Sequence, residues 1–278
     1  MAGQKQKSLQ KLLEGVPPGF LVDSAWLEAN SIGRRSAYDY VKAGWLERLA
    51  HGVFRRPAPR ARLPDPIDWK TCVLSMQHIM GYPVHVGGVT ALALQGYSHY
   101  LPLGRDVPVW LYGTGIPNWL SKLSLDTPLE TRSRSLFTDS SMGLAEEQDN
   151  QGSNAEALPW HWALKMSTPE RAILEALDEL PSHGSFEHLE MVFEGLMTLR
   201  PKLLASLLKE CRTIKVRRLF FVFADYHAHA WRIRLDPDDF DLGRGDRALV
   251  KGGKIHPRYR IVAPETLAEP NQRGADGA

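Results

Sequence analysis

The chain has 278 residues, of which 43% are apolar and 24% are charged, and its net charge at pH 7 is +2. This composition is typical of a folded globular protein with a sizeable core, and it excludes a disordered chain. No run of about 18 apolar residues occurs, so we expect no membrane-spanning helix, and the first ten residues lack the apolar stretch of a signal peptide. The two cysteines, Cys72 and Cys211, lack metal-ligand spacing. We expect buried thiols in a cytoplasmic protein.

Residues 20–56 have the pattern of a winged helix-turn-helix, preceded by a predicted helix over residues 5–14. Asp23 or Ser24 can cap a first helix, Asn30-Ser31 breaks it, and Gly33 begins a second helix that runs to about Ala43. Alternating residues at 45–48 and 53–56 flank a turn at residues 50–52. They predict a two-stranded hairpin, the wing.

The second helix of this pattern carries its polar residues on one side. Ala37 and Val41 pack inward. The opposite face, at i, i+3, i+4 and i+7 spacing, carries Arg35, Tyr38, Asp39 and Lys42. In a major groove, Arg bonds to guanine, and residues near the helix N-terminus reach base edges. Further arginines follow the wing, where phosphates or a minor groove would lie.

The basic character is local, as a nucleic-acid interface requires. Residues 1–62 hold eleven Lys/Arg against five Asp/Glu, a net charge of +6. The residues expected to contact double-stranded DNA are Arg34, Arg35, Ser36, Tyr38, Lys42, His51, Arg55, Arg56 and Arg60. The alternative is a winged-helix adaptor that binds protein rather than DNA.

The predicted fold class is α+β, with two domains. The boundary falls within a proline-rich linker at residues 57–66. Residues 1–62 are the predicted DNA-binding domain, and residues 63–268 are a mixed α/β domain with a small sheet and several helices. Residues 269–278 are expected to form a loose tail. In the second domain we predict helices over 67–80, 89–94, 169–179, 185–198, 201–211 and 215–227, with a short helix or turn at 117–120. Strands are predicted over 83–86, 107–112, 129–133, 160–166 and 258–262.

Two local patterns in the second domain make further predictions. Residues 139–157 contain five carboxylates, no cation and few bulky apolar residues, which predicts a mobile acidic loop. Residues 167–170, Ser-Thr-Pro-Glu, predict a helix start, either as a capping box from Ser167 to Glu170 or with Thr168 as the cap and Pro169 in the first turn.

The sequence argues against catalysis, and no cofactor is expected. A strand, Gly87-Gly88 and a helix follow one another, an order that can seat a triphosphate. A nucleotidyltransferase-like enzyme would also need paired carboxylates for magnesium, yet only Asp106 or a distant Glu130 is at hand. His227 and His229 lack further ligands at suitable spacing, so no metal site is predicted. The enzyme remains the second hypothesis.

Residues 212–262 hold twelve Lys/Arg against six Asp and form a second cationic segment. Glycines beside cations can bring backbone amides and positive charge together on a phosphate or an acidic partner. An ordinary solvated surface is the equal alternative. The candidate basic patch consists of Lys215, Arg217, Arg218, Arg244, Arg247, Lys251 and Lys254.

Taken together, the motifs of the chain resemble the AbiEi family, antitoxins of type IV toxin–antitoxin systems that act in abortive phage infection. The similarity spans about residues 8–265. The matching segments are residues 40–46, 52–57, 86–92, 99–101, 167–171, 241–247, 251–253 and 259–261.

This resemblance implies an N-terminal domain that binds inverted repeats in the promoter of its own operon and represses transcription. It also implies a C-terminal domain that counters a nucleotidyltransferase-like toxin. Separately, the lack of a long apolar run predicts no membrane partner. The acidic segment at 139–157 does not look like a family feature.

Overall fold

The computed structural model of the protein describes residues 2–58, 66–97, 107–133, 135–147, 162–249 and 252–268. The described residues form a mixed α/β fold of ten α-helices and eleven short strands, which confirms the predicted class. The helices are α1 (Ala2–Gly15), α2 (Ser24–Ala29), α3 (Arg34–Lys42), α4 (Trp69–Leu74), α5 (Gly88–Leu94), α6 (Pro169–Asp178), α7 (Phe186–Gly195), α8 (Pro201–Glu210), α9 (Ile214–His227) and α10 (Glu265–Ala268). None of the described helices is long and apolar enough to cross a membrane.

The strands form three small sheets. They are β1 (Leu21–Asp23), β2 (Glu47–Ala50), β3 (Val53–Arg55), β4 (Val84–Val86), β5 (Val109–Gly113), β6 (Leu129–Arg132), β7 (Leu144–Glu147), β8 (Leu164–Ser167), β9 (Arg247–Ala248), β10 (Lys254–Ile255) and β11 (Ile261–Ala263). The strand orders are β1-β3-β2, β6-β5-β4-β8-β7 and β10-β11-β9. In the central sheet β4 pairs antiparallel with β5, and β5 pairs parallel with β6.

The chain divides into two compact units, each made of several segments. The first consists of residues 1–86, 102–134 and 146–165, and the second of residues 87–101, 135–145 and 166–278. The predicted boundary at 62/63 and most of the proline-rich linker lie outside the described residues, so that boundary stays a prediction.

In the first unit, α1, α2, α3 and the β2–β3 hairpin surround one apolar core. Buried Leu12, Phe20, Leu27 and Ile32 belong to this core. Side chains from later in the chain also pack on it: Leu74, Ile79 and Trp162. Burial of shared apolar surface therefore joins the N-terminal segment to the remainder of this unit.

In the second unit, α9 is the central helix. Its phenylalanine side chains are buried, and the ring of Phe223 stacks on Phe193 of α7 with centroids 4.8 Å apart. The helices predicted from apolar periodicity at 169–227 are all present, with ends shifted by at most three residues. A buried aromatic cluster of this kind gives a strong periodic signal.

The start of α6 follows the second of the two predicted alternatives. Thr168 is the N-cap residue and Pro169 lies in the first turn. The capping box from Ser167 was wrong, because the Ser167 hydroxyl instead donates a hydrogen bond of 2.7 Å to buried Glu175.

The predicted mobile loop at 139–157 is wrong for its first part. Residues 139–147 are structured and include β7. The guanidinium of Arg171 donates to the carbonyl oxygens of Ser140 and Met142 at 2.8 and 2.7 Å, which fixes the backbone before the strand. Residues 148–157 lie outside the described part of the chain, as does the predicted tail at 269–278.

Candidate nucleic-acid interface

The turn between α2 and α3 sets the direction of α3. Asp23 is the N-cap residue of α2, and its Oδ1 accepts a hydrogen bond of 2.8 Å from the Trp26 amide. Ser31 has a positive φ of 63°, and Ile32, only 1% exposed, fills the corner between the helices. Gly33 is the N-cap of α3. This is the helix, break and second helix that the sequence predicts.

Helix α3 divides into an apolar and a polar side. Ala37 and Tyr40 are buried, whereas Tyr38 is 69% exposed. The Arg35 and Lys42 side chains are exposed on the same helix. The described residues of the first unit thus leave the outward side of α3 uncovered.

The charges on α3 are placed against the preference of the helix itself. Arg34 and Arg35 occupy its first turn, where the helix dipole is positive and the caps offer no side-chain hydrogen bond. Cations at a helix N-terminus are unfavourable by roughly 0.3–1 kcal/mol each. The helix dipole therefore does not favour the two arginines, and the contact of Arg34 with Glu28 at 3.8 Å is an exposed and weak ion pair. Their position is the one from which a recognition helix reaches base edges.

The hairpin pairs β2 with β3, and β1 adds to the far side of β3. The observed β2 begins two residues later than predicted, because the amides of Trp45 and Leu46 still bond to the Tyr40 carbonyl at the end of α3. The element order and strand pairing are consistent with the predicted winged helix-turn-helix.

A cleft lies between α2, α3 and the hairpin, and we call it the α3–hairpin cleft. Arg34 and Tyr38 of α3 border it on one side, and Arg48 and His51 of the hairpin border it on the other. Arg48 is exposed, and its Nη2 lies 3.1 Å from Nδ1 of His51. Sequence reasoning missed Arg48, although its position beside the turn was a signal for a solvent-facing wing residue.

Arg55 does not face solvent, which corrects its expected role on phosphate. Only 7% of the residue is exposed, and its guanidinium bonds to the carboxylate of Glu47 at 2.8–2.9 Å. Glu47 and Arg55 are direct partners in the β2–β3 register, so this cross-strand ion pair fixes the hairpin.

Arg56 likewise forms hydrogen bonds within the protein. Its Nη1 donates to the carbonyl oxygens of Leu13 and Val16, at 2.8 and 2.5 Å, where α1 ends. Partial burial lowers the pKa of the Arg56 guanidinium from its ordinary value. These bonds satisfy carbonyls that have no intrahelical donor. Ser36 is half-buried, and Arg60 lies outside the described residues.

Asp23 also holds the base of α2 to a later part of the first unit. Its Oδ2 accepts hydrogen bonds from the Tyr82 hydroxyl at 2.5 Å and from the Trp119 indole nitrogen at 3.2 Å. Burial, with the hydrogen bond to Asp23, raises the pKa of Tyr82 to about 12. One nearly buried carboxylate therefore both caps α2 and anchors it.

The predicted C-terminal basic patch is not a single surface. Lys215, Arg217 and Arg218 point inward and donate to backbone carbonyls. Arg218 is 2% exposed and bonds to the carbonyls of Leu242, Gly245 and Arg260 at 2.6–2.8 Å.

The remaining residues of that patch have different surroundings. The side chains of Arg244, Arg247 and Lys254 are exposed, and Lys254 lies 3.8 Å from Glu265. Lys251 lies outside the described residues. Arg217 and Arg218 thus hold the loop at 241–247 through its carbonyls, whereas Lys215 donates to the carbonyls of Asp178 and Leu180 at the end of α6.

The Gly87-Gly88 turn was considered above as a nucleotide site. Its Gly88 amide is instead occupied by a carboxylate of the second unit. The Gly88 amide donates to Oε2 of Glu175 at 3.1 Å, and Arg171 donates to Oε1 at 2.7 Å. Glu130 is half-exposed and 3.7 Å from Arg132, and Asp106 lies outside the described residues. The described residues also contain no cluster of three or more potential metal ligands.

Comparison with known proteins adds to this geometry. One family model, the N-terminal domain of AbiEi antitoxin transcriptional regulators, matches residues 5–103. A second, described as a transcriptional regulator and AbiEi antitoxin of a type IV toxin–antitoxin system, matches residues 107–264. The chain therefore belongs to the AbiEi antitoxin family of transcriptional regulators.

The fold is also similar to that of a solved structure. The crystal structure of the RV2827C protein from Mycobacterium tuberculosis aligns with a TM-score of 0.52 at 15% identity, over 95% of this chain and 93% of that one. At this identity the similarity concerns the fold alone. No curated protein sequence matches the chain.

Proposed function

We propose that this protein is the antitoxin of a type IV toxin–antitoxin system and represses its own operon by binding promoter DNA through α3 and the β2–β3 hairpin. The family assignment gives the regulatory role. The observation that carries the DNA-binding part is the exposed cationic side of α3, with Arg34, Arg35 and Lys42 outward.

In this proposal α3 lies in the major groove of a double-stranded promoter site with inverted repeats. Arg35 and Tyr38 near the helix N-terminus face base edges, where an Arg can donate two hydrogen bonds to guanine. Lys42, Arg48 and His51 contact the phosphate backbone on either side. Arg55 and Arg56 are left out, because Nε and Nη2 of Arg55 and Nη1 of Arg56 already bond within the protein.

The second half of the proposal concerns the partner. A nucleotidyltransferase-like toxin is the functional target, and the second unit acts on it without nucleotidyl transfer of its own. The buried network around Glu175 supports this non-enzymatic role, since a protein carboxylate stands at the amide where a phosphate would have to bind.

Charge reversal at Arg35 tests the proposal. In a fluorescence-anisotropy titration of the protein's own promoter duplex, Arg35→Glu should lower affinity by roughly tenfold or more. Lys11→Glu, a change of the same charge at an exposed position of α1, is the matched control and should retain most of the affinity. Equal affinities for the two variants, with both folded, would contradict the assignment of α3 as the recognition helix.

A further inference from the structure

The α3–hairpin cleft is large enough for a small molecule. It has a volume of about 660 Å³, which lies within the range of roughly 300–1,000 Å³ found for small-molecule sites. Its floor is apolar, with Leu27, Ile32 and Phe54 among the buried side chains that line it. Bare hydrocarbon at the bottom of a cleft is poorly suited to a phosphate, which needs donors there.

Two aromatic residues stand beside this floor. Tyr38 lines the cleft and is 69% exposed. Trp119 lines it from another element, and its indole is held in place by the hydrogen bond to Asp23. Aromatic side chains present large, stiff surfaces on which a flat ring can stack.

The charge available in the cleft is positive. Both oxygens of Asp23 already accept hydrogen bonds, and the carboxylate of Glu28 lies 3.8 Å from the guanidinium of Arg34. Among the described residues, no carboxylate forms an ion pair with Arg48. Its guanidinium instead contacts Nδ1 of His51 and the carbonyl oxygen of Ala50. The acids that line the cleft are thus partnered, and Arg48 with His51 remains to receive an anion.

We propose that the α3–hairpin cleft binds a small aromatic anion, with its ring on the apolar floor and its carboxylate or sulfonate group beside Arg48 and His51. Such a ligand occupies the space between the two elements that the proposed function applies to DNA. The site itself stands on the cleft geometry, and only its competition with DNA rests on the proposed function.

The probe for this site is 8-anilinonaphthalene-1-sulfonate, an aromatic anion whose fluorescence rises in apolar surroundings. The folded full-length protein should bind it saturably at one site. Ala25→Trp, at an exposed position of α2 that lines the cleft, should fill the space and abolish binding. Ala29→Trp, exposed on the same helix but away from the cleft lining, should leave binding unchanged.

Charge is tested separately from space. Arg48→Gln should weaken the probe by roughly tenfold, as expected for the loss of a charge-assisted hydrogen bond, while Lys11→Gln should not. Thermal melting checks that each variant is folded. Absence of saturable binding, or binding that survives Ala25→Trp, overturns the site.

Promoter duplex is then added to the probe complex. Displacement of the probe supports competition for the cleft, and simultaneous binding of probe and duplex contradicts it. If the duplex does not bind the unliganded protein at all, the proposed repressor function fails while the probe results still decide the site.

Discussion

Two Arg-Arg pairs in the N-terminal segment have opposite surroundings. Arg34 and Arg35 are exposed in the first turn of α3, whereas Arg55 and Arg56 are bonded to Glu47 and to carbonyls at the end of α1. The sequence shows charge but not which carbonyls or carboxylates lie within reach. Donors that already have protein partners cannot be exchanged for phosphate without the loss of those bonds.

Arg56→Met should therefore reduce the stability of the protein, whereas Lys42→Met should reduce the salt dependence of its DNA binding. Arg56→Met leaves the carbonyls of Leu13 and Val16 without their donor, which should lower the free energy of unfolding by about 1–3 kcal/mol. The salt dependence of DNA binding should stay the same. Urea unfolding followed by circular dichroism measures the first effect.

Lys42→Met should change stability by less than about 0.5 kcal/mol, because the side chain is exposed. It should reduce the slope of log affinity against log salt by roughly one. If Arg56→Met lowers that slope and leaves stability intact, then Arg56 contacts DNA and its internal bonds are not decisive.

Burial of His227 should make the stability of the fold depend on pH, which the sequence alone does not predict. Burial, with a smaller effect from His229, lowers its pKa from 6.5 to about 4, and its Nε2 is buried without a hydrogen-bond partner in the described structure. The unfolded chain thus binds a proton at a higher pH than the folded chain does, so stability should fall as the pH drops from 6.5 toward 4. Glu194 opposes this shift.

His227→Phe should keep the stacking on Phe193 and remove the titrating group. Its melting temperature should decline less than that of the unaltered protein over the same pH interval. Parallel declines in the two proteins would show that His227 does not contribute to acid sensitivity.

At the scale of elements, hydrogen bonds to one buried carboxylate of α6 hold this helix to its neighbours. Glu175, 1% exposed, accepts hydrogen bonds from Gly88, Ser167 and Arg171. These donors come from α5, β8 and α6. The 3.6-residue apolar period predicts α6, but it cannot predict that a carboxylate on the buried side would have three donors.

Glu175→Ala should cost about 3–5 kcal/mol, because it leaves Arg171 buried and without its carboxylate. Glu194→Ala, at an exposed position of α7, is the matched control and should change little. Urea unfolding distinguishes them, and a loss below about 1 kcal/mol for Glu175→Ala would show that the network is not needed for stability.

Elements with a strong local pattern were predictable, and those fixed by contacts across the chain were not. Helices α3 and α6 to α9, together with the hairpin, follow from periodicity, capping residues and turn glycines. The predicted helix at 67–80 is instead α4 followed by a π-helical turn over Ser75–Ile79. There the Ser75 hydroxyl accepts from the Leu21 amide, 54 residues away, which no local pattern encodes.

Strands β7, β9 and β10 were not predicted for a related reason. They are two to four residues long, and β9 and β10 gain their pairing from β11. Such short strands have no independent stability. The same distinction applies to the candidate site. The exposed side of α3 could be predicted from the sequence. The role of Arg48 and the α3–hairpin cleft could not, because they depend on how the hairpin packs against α3.

For the whole molecule, the family assignment joins a regulatory and an antitoxin role in one chain. If α3 serves only DNA, full-length Arg35→Glu should lose promoter binding yet still restore growth when the proposed nucleotidyltransferase-like toxin is expressed from a separate vector. Growth rescue by the unaltered protein is the reference. Loss of rescue by a folded Arg35→Glu protein would show that the two roles share this surface.

The most direct test of the account is the affinity of the full-length protein for its own promoter duplex, measured by fluorescence anisotropy across a salt series. We predict tight binding by the unaltered protein that weakens steeply with salt, little change for Lys11→Glu, and a loss of roughly tenfold or more for Arg35→Glu. Binding that is indifferent to salt, or an Arg35→Glu protein that binds as tightly as the control, would contradict the claim that α3 reads DNA.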